Sequence, residues 1–167
     1  MIRIAVTGPE SCGKSTLSKA LAEHFNADLI EEFGRTYLEQ TDGKYSQHDL
    51  DTITAGHLKN IQLSQNSTQI IDTDFVVMQI WSESKYGNVS ESIMQQVNAN
   101  HFDLHILCTP DIPWEQDVLR ESQYDREALF ESYKSALTRS GKNFIIVKGS
   151  HTERLEKSVN SINTVLI

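Results

Sequence analysis

Positive charge is scarce in this chain. Fifteen Lys and Arg stand against 23 Asp and Glu in 167 residues, a net charge of −8. A nucleic-acid or anionic-membrane face needs many cations spread over a wide area, so neither is expected as a partner. A small phosphorylated ligand needs only a local group of them. Cysteine occurs twice, as Cys12 and Cys108, too few for a disulfide framework or a cysteine-based metal site. The six histidines show no metal-ligand spacing. No apolar run approaches the roughly 18 residues that a membrane span needs. Met1 leads at once into a strand-like run, so no signal peptide is expected and a cytoplasmic location is. Proline occurs three times, and two of these, Pro110 and Pro113, fall in one short stretch.

The rest is regular. With 38% hydrophobic and 23% charged residues, the composition is that of an ordinary globular chain, long enough for one domain over 1–167 with a sizeable core. Apolar runs at 2–8, 27–33, 68–74, 103–110 and 143–149 read as strands. Amphipathic segments at 14–25, 46–65, 75–87, 90–99, 125–140 and 151–165 read as helices. Ser46, with Asp49 three residues on, reads as a helix start. Strands alternating with helices imply an α/β fold, a parallel sheet covered on both faces.

"GPESCGKST" (8–16) fits G-x-x-x-x-G-K-S/T between a predicted strand and a predicted helix, the P-loop or Walker A pattern. Gly8 and Gly13 permit a tight turn whose N–H groups converge on an anion, and the helix start adds its positive end. Gly8, Glu10, Ser11, Cys12, Gly13, Lys14, Ser15 and Thr16 are therefore expected to hold the phosphates of ATP. Lys14 neutralises the terminal phosphates and Ser15 offers a hydroxyl to Mg²⁺. Cys12 sits where thiol pKa values fall, or simply fills a small-residue position.

Such a loop needs an acidic partner on a neighbouring strand. "IIDTD" supplies Asp72 for the Mg²⁺ side and Asp74 for substrate or metal, since alternation puts both on one side of a strand. Asp74 has a second reading, as the cap of the following helix. In "EEFGRTY" (31–37), Glu32 is placed to take a proton from a substrate hydroxyl and Arg35 to hold a phosphate or a carboxylate. The alternative is a local Glu32–Arg35 surface pair.

"TPDIPWEQDVLRESQYDR" (109–126) follows the fourth strand, where prolines bar a helix. Arg120 and Arg126 in this segment suit a lid, about 110–127, that closes a cationic cover over a transferring phosphoryl group. Solvated pairing with the acidic neighbours is the alternative. Trp114 is a core plug or a stacking face for a ring, favourable if the ring is cationic. Trp81, at helical spacing from Val77, reads as core.

In their order, "GPESCGKST", "EEFGRTYL", "IIDTDFVV", "PDIPWEQDVLR" and a later arginine resemble the ribosylnicotinamide kinase domains of bacterial bifunctional NAD-biosynthesis and regulatory proteins, within the AAA-type P-loop family. The resemblance runs from Arg3 to about Arg154. Its specific parts are Pro-Asp-Ile-Pro-Trp and Glu-x-x-Arg-x-Tyr, the P-loop alone being generic. It implies strand order 2-3-1-4-5, an arginine lid, and Mg- and ATP-dependent phosphorylation of the 5′-hydroxyl of nicotinamide riboside. It implies Arg120 and Arg126 as lid arginines, Asp72 and Asp74 as the acidic pair, Glu32 beside the acceptor hydroxyl, and Trp114 and Tyr37 stacked on the nicotinamide ring. The family loop usually has Ser where Cys12 stands. Because those proteins carry a preceding adenylyltransferase domain, a stand-alone kinase is the expectation here. A kinase for another nucleoside or nucleoside monophosphate, or a regulatory nucleotide switch, is the alternative.

Overall fold

Parallel strands form one sheet at the centre of the molecule. In a computed structural model describing residues 1–99 and 101–166, β1 (Ile2–Thr7), β3 (Thr68–Asp72) and β4 (Leu104–Cys108) are central, with β2 (Asp28–Ile30) and β5 (Phe144–Val147) at the edges. The five strands are parallel in the order β2-β3-β1-β4-β5. Strands buried on both faces carry unbroken hydrophobic sequence, and every residue of β4 is buried. The register pairs Val6 with Asp72, Thr7 with Leu107 and Cys108 with Val147. The carboxyl ends of β1, β3, β4 and β5 therefore share one rim.

Among the described residues seven helices cover the sheet: α1 (Lys14–Phe25), α2 (Phe33–Gln40), α3 (Gln47–Leu63), α4 (Phe75–Tyr86), α5 (Glu91–Asn98), α6 (Arg126–Arg139) and α7 (His151–Val165). Alternation along β1 divides the core. Ile4 and Val6 face Leu17 and Leu21 of α1 and Ile162 of α7, while Ala5 faces the cluster of Ile53, Phe75, Ile93 and Leu137 from α3 to α6. Ser46 and Asp49 form the expected capping box, and Ser150 and Glu153 form another.

The second strand is shorter than its sequence suggests. It ends at Ile30, and Glu32 is the extended N-cap of α2, a helix inside what reads as a strand end. Packing overrides local pattern here. Phe33 lies on Gly56 of α3 so closely that a Cβ at Gly56 would fall 2.3 Å from its ring. The Tyr37 hydroxyl donates to Asp49, and Leu38 is buried. The third strand is also shorter, because Thr73 turns left-handed at φ 79°. A β-branched residue there costs of order 1–3 kcal/mol. The turn is held by Thr73 N–H donating to Val6 O at 3.0 Å and by His57 Nε2 donating to Thr73 O at 2.9 Å.

Gly56→Ala should therefore destabilise the protein. Helix propensity favours alanine by about 1 kcal/mol, but overpacking costs ~1–3 kcal/mol. A melting temperature lower by a few degrees is expected; an unchanged or higher one would show that Phe33 moves aside freely.

Candidate active site

At the rim, β1 opens into the loop that ends in α1. Gly8 has φ 135°, and a Cβ there would lie 2.7 Å from Cys108 O, so backbone approach demands glycine. Gly13 caps α1 in left-handed conformation at φ 83°, and Ser11 shares that region at φ 51°. Lys14 Nζ donates to Gly8 O at 2.9 Å and Pro9 O at 2.8 Å. Burial pulls the Lys14 pKa down, but the fields of Cys12, Glu32 and Asp72 outweigh it and raise it. The ammonium stays charged. Beneath the loop the two thiols meet. Burial raises the Cys12 pKa, yet the Cys108 hydrogen bond and the fields of Lys14 and Arg154 bring it down to about 7.

Two carboxylates approach Lys14. Asp72 is 5% exposed, and its Oδ1 has no hydrogen-bond partner among the described residues. Burial raises its pKa against the lowering effects of Ser15 and Lys14. A buried carboxylate oxygen without a partner, beside a hydroxyl, is a donor set suited to a hard cation such as Mg²⁺. Glu32 stands at the start of α2. Burial, aided by the Asp72 field, raises its pKa, while Lys14 pulls it down.

A cleft of about 270 Å³ joins these groups. Its floor is the loop from Gly8 through Thr16, Pro9 apart. One wall is Glu32, Arg35 and Leu38; another is Val77, Ile80, Trp81, Ser84 and Lys85, a helical stripe along α4. The roof is the 109–125 segment, which contributes Ile112, Glu115, Leu119, Arg120, Glu121 and Ser122.

That roof is tied down by named bonds. Glu10 Oε2 accepts from Glu121 N at 3.0 Å and Ser122 N at 2.8 Å. Ser11 Oγ accepts from Glu115 N at 2.9 Å. Arg35 pairs with Asp117 at 2.9 Å and Lys85 with Glu121 at 3.1 Å. Arg120 donates to Glu115 O at 2.6 Å and Ser11 Oγ at 3.4 Å. Arg126 donates to Ser11 O at 3.0 Å and Ile112 O at 3.1 Å. It is the first residue of α6, where the helix dipole disfavours a cation. Both guanidinium groups stand over Trp114, at 5.9 Å and 5.7 Å from its ring.

The structure brings Gly8, Glu10, Ser11, Cys12, Gly13, Lys14, Ser15, Thr16, Glu32, Arg35 and Arg120 together on the cleft lining. Asp72 is outside the lining, beside Ser15 and in the field of Lys14, and Arg126 reaches the loop backbone. Three expected site residues lie elsewhere. Asp74, 1% exposed, accepts from Thr7 Oγ1 at 2.9 Å and Val77 N at 3.1 Å. It caps α4, because the left-handed Thr73 breaks the alternation that would have aligned it with Asp72. Tyr37 braces α2 on α3 through Asp49. Trp114 supports the lid arginines and does not line the cleft. Arg35 pairs with Asp117 and Glu39, not with Glu32. Trp81, read as core, does pack against the core cluster and also lines the cleft; Lys85 carried no reading, and the α4 stripe just after Asp72 was its signal.

Comparison with known proteins agrees with this geometry. A family model described as an AAA domain matches residues 3–154. The trifunctional NAD biosynthesis/regulator protein NadR of Salmonella typhimurium is 34% identical over 156 residues, and that of Escherichia coli 33%. Each alignment covers 87% of this chain, which spans only 38% of the relative. A solved structure of NadR protein in complex with NR superposes with TM-score 0.78 at 19% identity, over 98% of this chain and 50% of that one. Deoxyadenosine kinase from M. mycoides superposes with TM-score 0.67 at 19% identity, over 98% of this chain and all of that one. These two structures establish the likeness of fold.

Glu10→Ala should free the roof locally. Hydrogen exchange at the Glu121 and Ser122 amides is expected to rise about tenfold, with exchange in β1 and β4 unchanged. Equal protection in the variant would show that Glu10 does not hold the lid.

Proposed function

The chain belongs to the AAA-domain family, and from that premise we propose that it is an ATP-dependent nucleoside kinase whose acceptor is nicotinamide riboside. The observation that carries this reading is one cleft lined by Lys14 and the phosphate loop together with Glu32 and Trp81. Its volume, about 270 Å³, is near the lower bound of small-molecule sites, ~300 Å³. Four carboxylates, Glu10, Glu32, Glu115 and Glu121, line it beside four cations, Lys14, Arg35, Lys85 and Arg120. The Trp81 indole in its wall offers a face on which a cationic aromatic ring gains cation–π energy that a neutral base does not. The curated relatives' names place them in NAD biosynthesis, which agrees with such an acceptor.

In the proposed reaction the loop N–H groups and Lys14 bind the β- and γ-phosphates. The phosphates displace the Gly8 and Pro9 carbonyls from Lys14, since charged acceptors outcompete neutral ones. Arg120 and Arg126 exchange the Glu115, Ser11 and Ile112 acceptors for phosphoryl oxygens, and Trp114 keeps both guanidinium planes in place. Glu32 accepts the proton of the acceptor 5′-hydroxyl as the new O–P bond forms and the bond to ADP breaks. Ser15 and Asp72 would hold Mg²⁺, which would supply charge neutralisation to the phosphates. Most of the acceleration comes from positioning and electrostatics.

A nucleoside monophosphate acceptor is disfavoured by one observation. The cations of the two walls are both engaged by carboxylates, Arg35 by Asp117 and Glu39 and Lys85 by Glu121. The deciding assay offers Mg-ATP with nicotinamide riboside, other nucleosides and monophosphates, with products identified by mass. Nicotinamide mononucleotide is the expected product. Transfer to another acceptor would reassign the substrate, and nucleotide-dependent partner binding with no transfer would support a switch.

Glu32→Gln should lower kcat by about 10²-fold or more with little change in the KM for ATP. In the parent enzyme kcat should fall as pH drops through the raised Glu32 pKa, above the ordinary value of about 4.3, because the base must be deprotonated. Wild-type turnover in Glu32→Gln, or an acid limb it does not alter, removes Glu32 from the role.

A further inference from the structure

Arg154 has no part in the reaction as set out above, yet it is the most heavily engaged cation at the phosphate loop. It lies in the first turns of α7 with its side chain 4% exposed. Nη1 donates to Cys12 O at 2.6 Å, Nη2 to Thr109 O at 3.1 Å, and Nε to Gly149 O at 3.0 Å. Nη2 also meets the Asp111 carboxylate, which in turn accepts from Gly149 N at 2.7 Å. One guanidinium thus joins three segments: the phosphate loop, the foot of the lid between Pro110 and Pro113, and the turn into α7. Burying a cation is costly, more so near a helix N-terminus. Only a fully hydrogen-bonded fork makes it tolerable.

The position of the Cys12 bond is informative. The Cys12–Gly13 peptide is trans, so its carbonyl and its N–H point in opposite directions. Gly13 lines the cleft and Arg154 does not. Fixing the Cys12 carbonyl on Arg154 therefore turns the Gly13 N–H toward the cleft. Gly13 itself is left-handed, at φ 83°, and glycine has conformational freedom to lose.

We propose that Arg154 is a positioning residue for phosphate binding: from outside the cleft it holds the Cys12–Gly13 peptide with its N–H toward the nucleotide, and through Asp111 it ties that setting to the foot of the lid. The proposal rests on the loop binding nucleotide phosphates, as in the proposed function. It concerns the peptide group and not the acceptor.

The test is calorimetric titration of Mg-ATP and of inorganic tripolyphosphate into the wild type, Arg154→Lys and Arg154→Met, with a melting temperature for each. Lysine keeps the charge but cannot span three carbonyls. Both affinities are expected to fall by a common factor, about tenfold in Arg154→Lys, at a temperature where the variant is folded, with the acceptor KM unchanged. Wild-type affinity in Arg154→Lys overturns the proposal even if the melting temperature drops. So does a loss for ATP that spares tripolyphosphate, because the residue would then act at the base end. If the arginine variants fail to fold, Asp111→Asn loosens the same guanidinium from a more exposed site. It should weaken both ligands about threefold; no change there overturns the proposal. Nucleoside phosphorylation is scored separately in the wild type. A protein that binds ATP but phosphorylates no acceptor removes the kinase reading, while the affinity ratios still decide the role of Arg154.

Discussion

Cations resting on backbone carbonyls are the interaction on which the rest of this structure depends. Lys14 lies on Gly8 and Pro9, Arg126 on Ser11 and Ile112, Arg120 on Glu115, and Arg154 on Cys12, Thr109 and Gly149. In a chain with net charge −8, four cations around one loop are a concentrated investment. Each bond fixes a carbonyl, and a fixed carbonyl fixes the opposite N–H of its peptide. The loop is thereby shaped by cations that also supply the field an anion needs. Two of the residues it brings to positive φ are Gly8, where a Cβ would also lie 2.7 Å from Cys108 O, and Gly13, where a side chain would be strained at φ 83°.

The surrounding fold serves this arrangement. Parallel register brings the ends of β1, β3 and β4 to one rim, so that Asp72 approaches Lys14 from the side. The strained Thr73 then turns the chain into α4 and commits Asp74 to capping it. This separates two acids that strand alternation would have kept together. One carboxylate faces the loop, and the other anchors the helix whose stripe of Val77, Ile80, Trp81, Ser84 and Lys85 forms a wall of the cleft. The docking of Phe33 on Gly56 likewise starts α2 just after Glu32 and holds that carboxylate at the cleft.

Most of the architecture was legible in the sequence because its signals are local. Apolar runs marked the strands, the Ser46 and Asp49 pair marked a helix start, and the G-x-x-x-x-G-K-S pattern marked the loop. The strand order came from the family resemblance. What was not legible depends on contacts distant in sequence. The helix at Phe33–Gln40 forms because α3 offers a glycine to Phe33, and nothing between residues 31 and 37 announces that. Of the two readings for Asp74 the structure takes the helix cap, because one positive φ angle overrides period-two alternation. Trp114 stands beneath two arginines rather than in the cleft, and its neighbours in sequence do not reveal its neighbours in space. Arg154 was invisible for the same reason: its partners Cys12 and Asp111 lie far upstream in the chain.

The central claim is that the carbonyl-bound cations divide into those that exchange onto phosphate and one that stays. The most direct measurement is a crystal structure with Mg²⁺ and a non-hydrolysable ATP analogue bound. The account predicts Lys14, Arg120 and Arg126 on phosphate oxygens at about 2.7–2.9 Å, with Arg154 still on the Cys12 carbonyl and the Gly13 N–H aimed at the phosphates. An analogue bound with Lys14 still on Gly8 and Pro9, or with Arg154 turned away from Cys12, would contradict it.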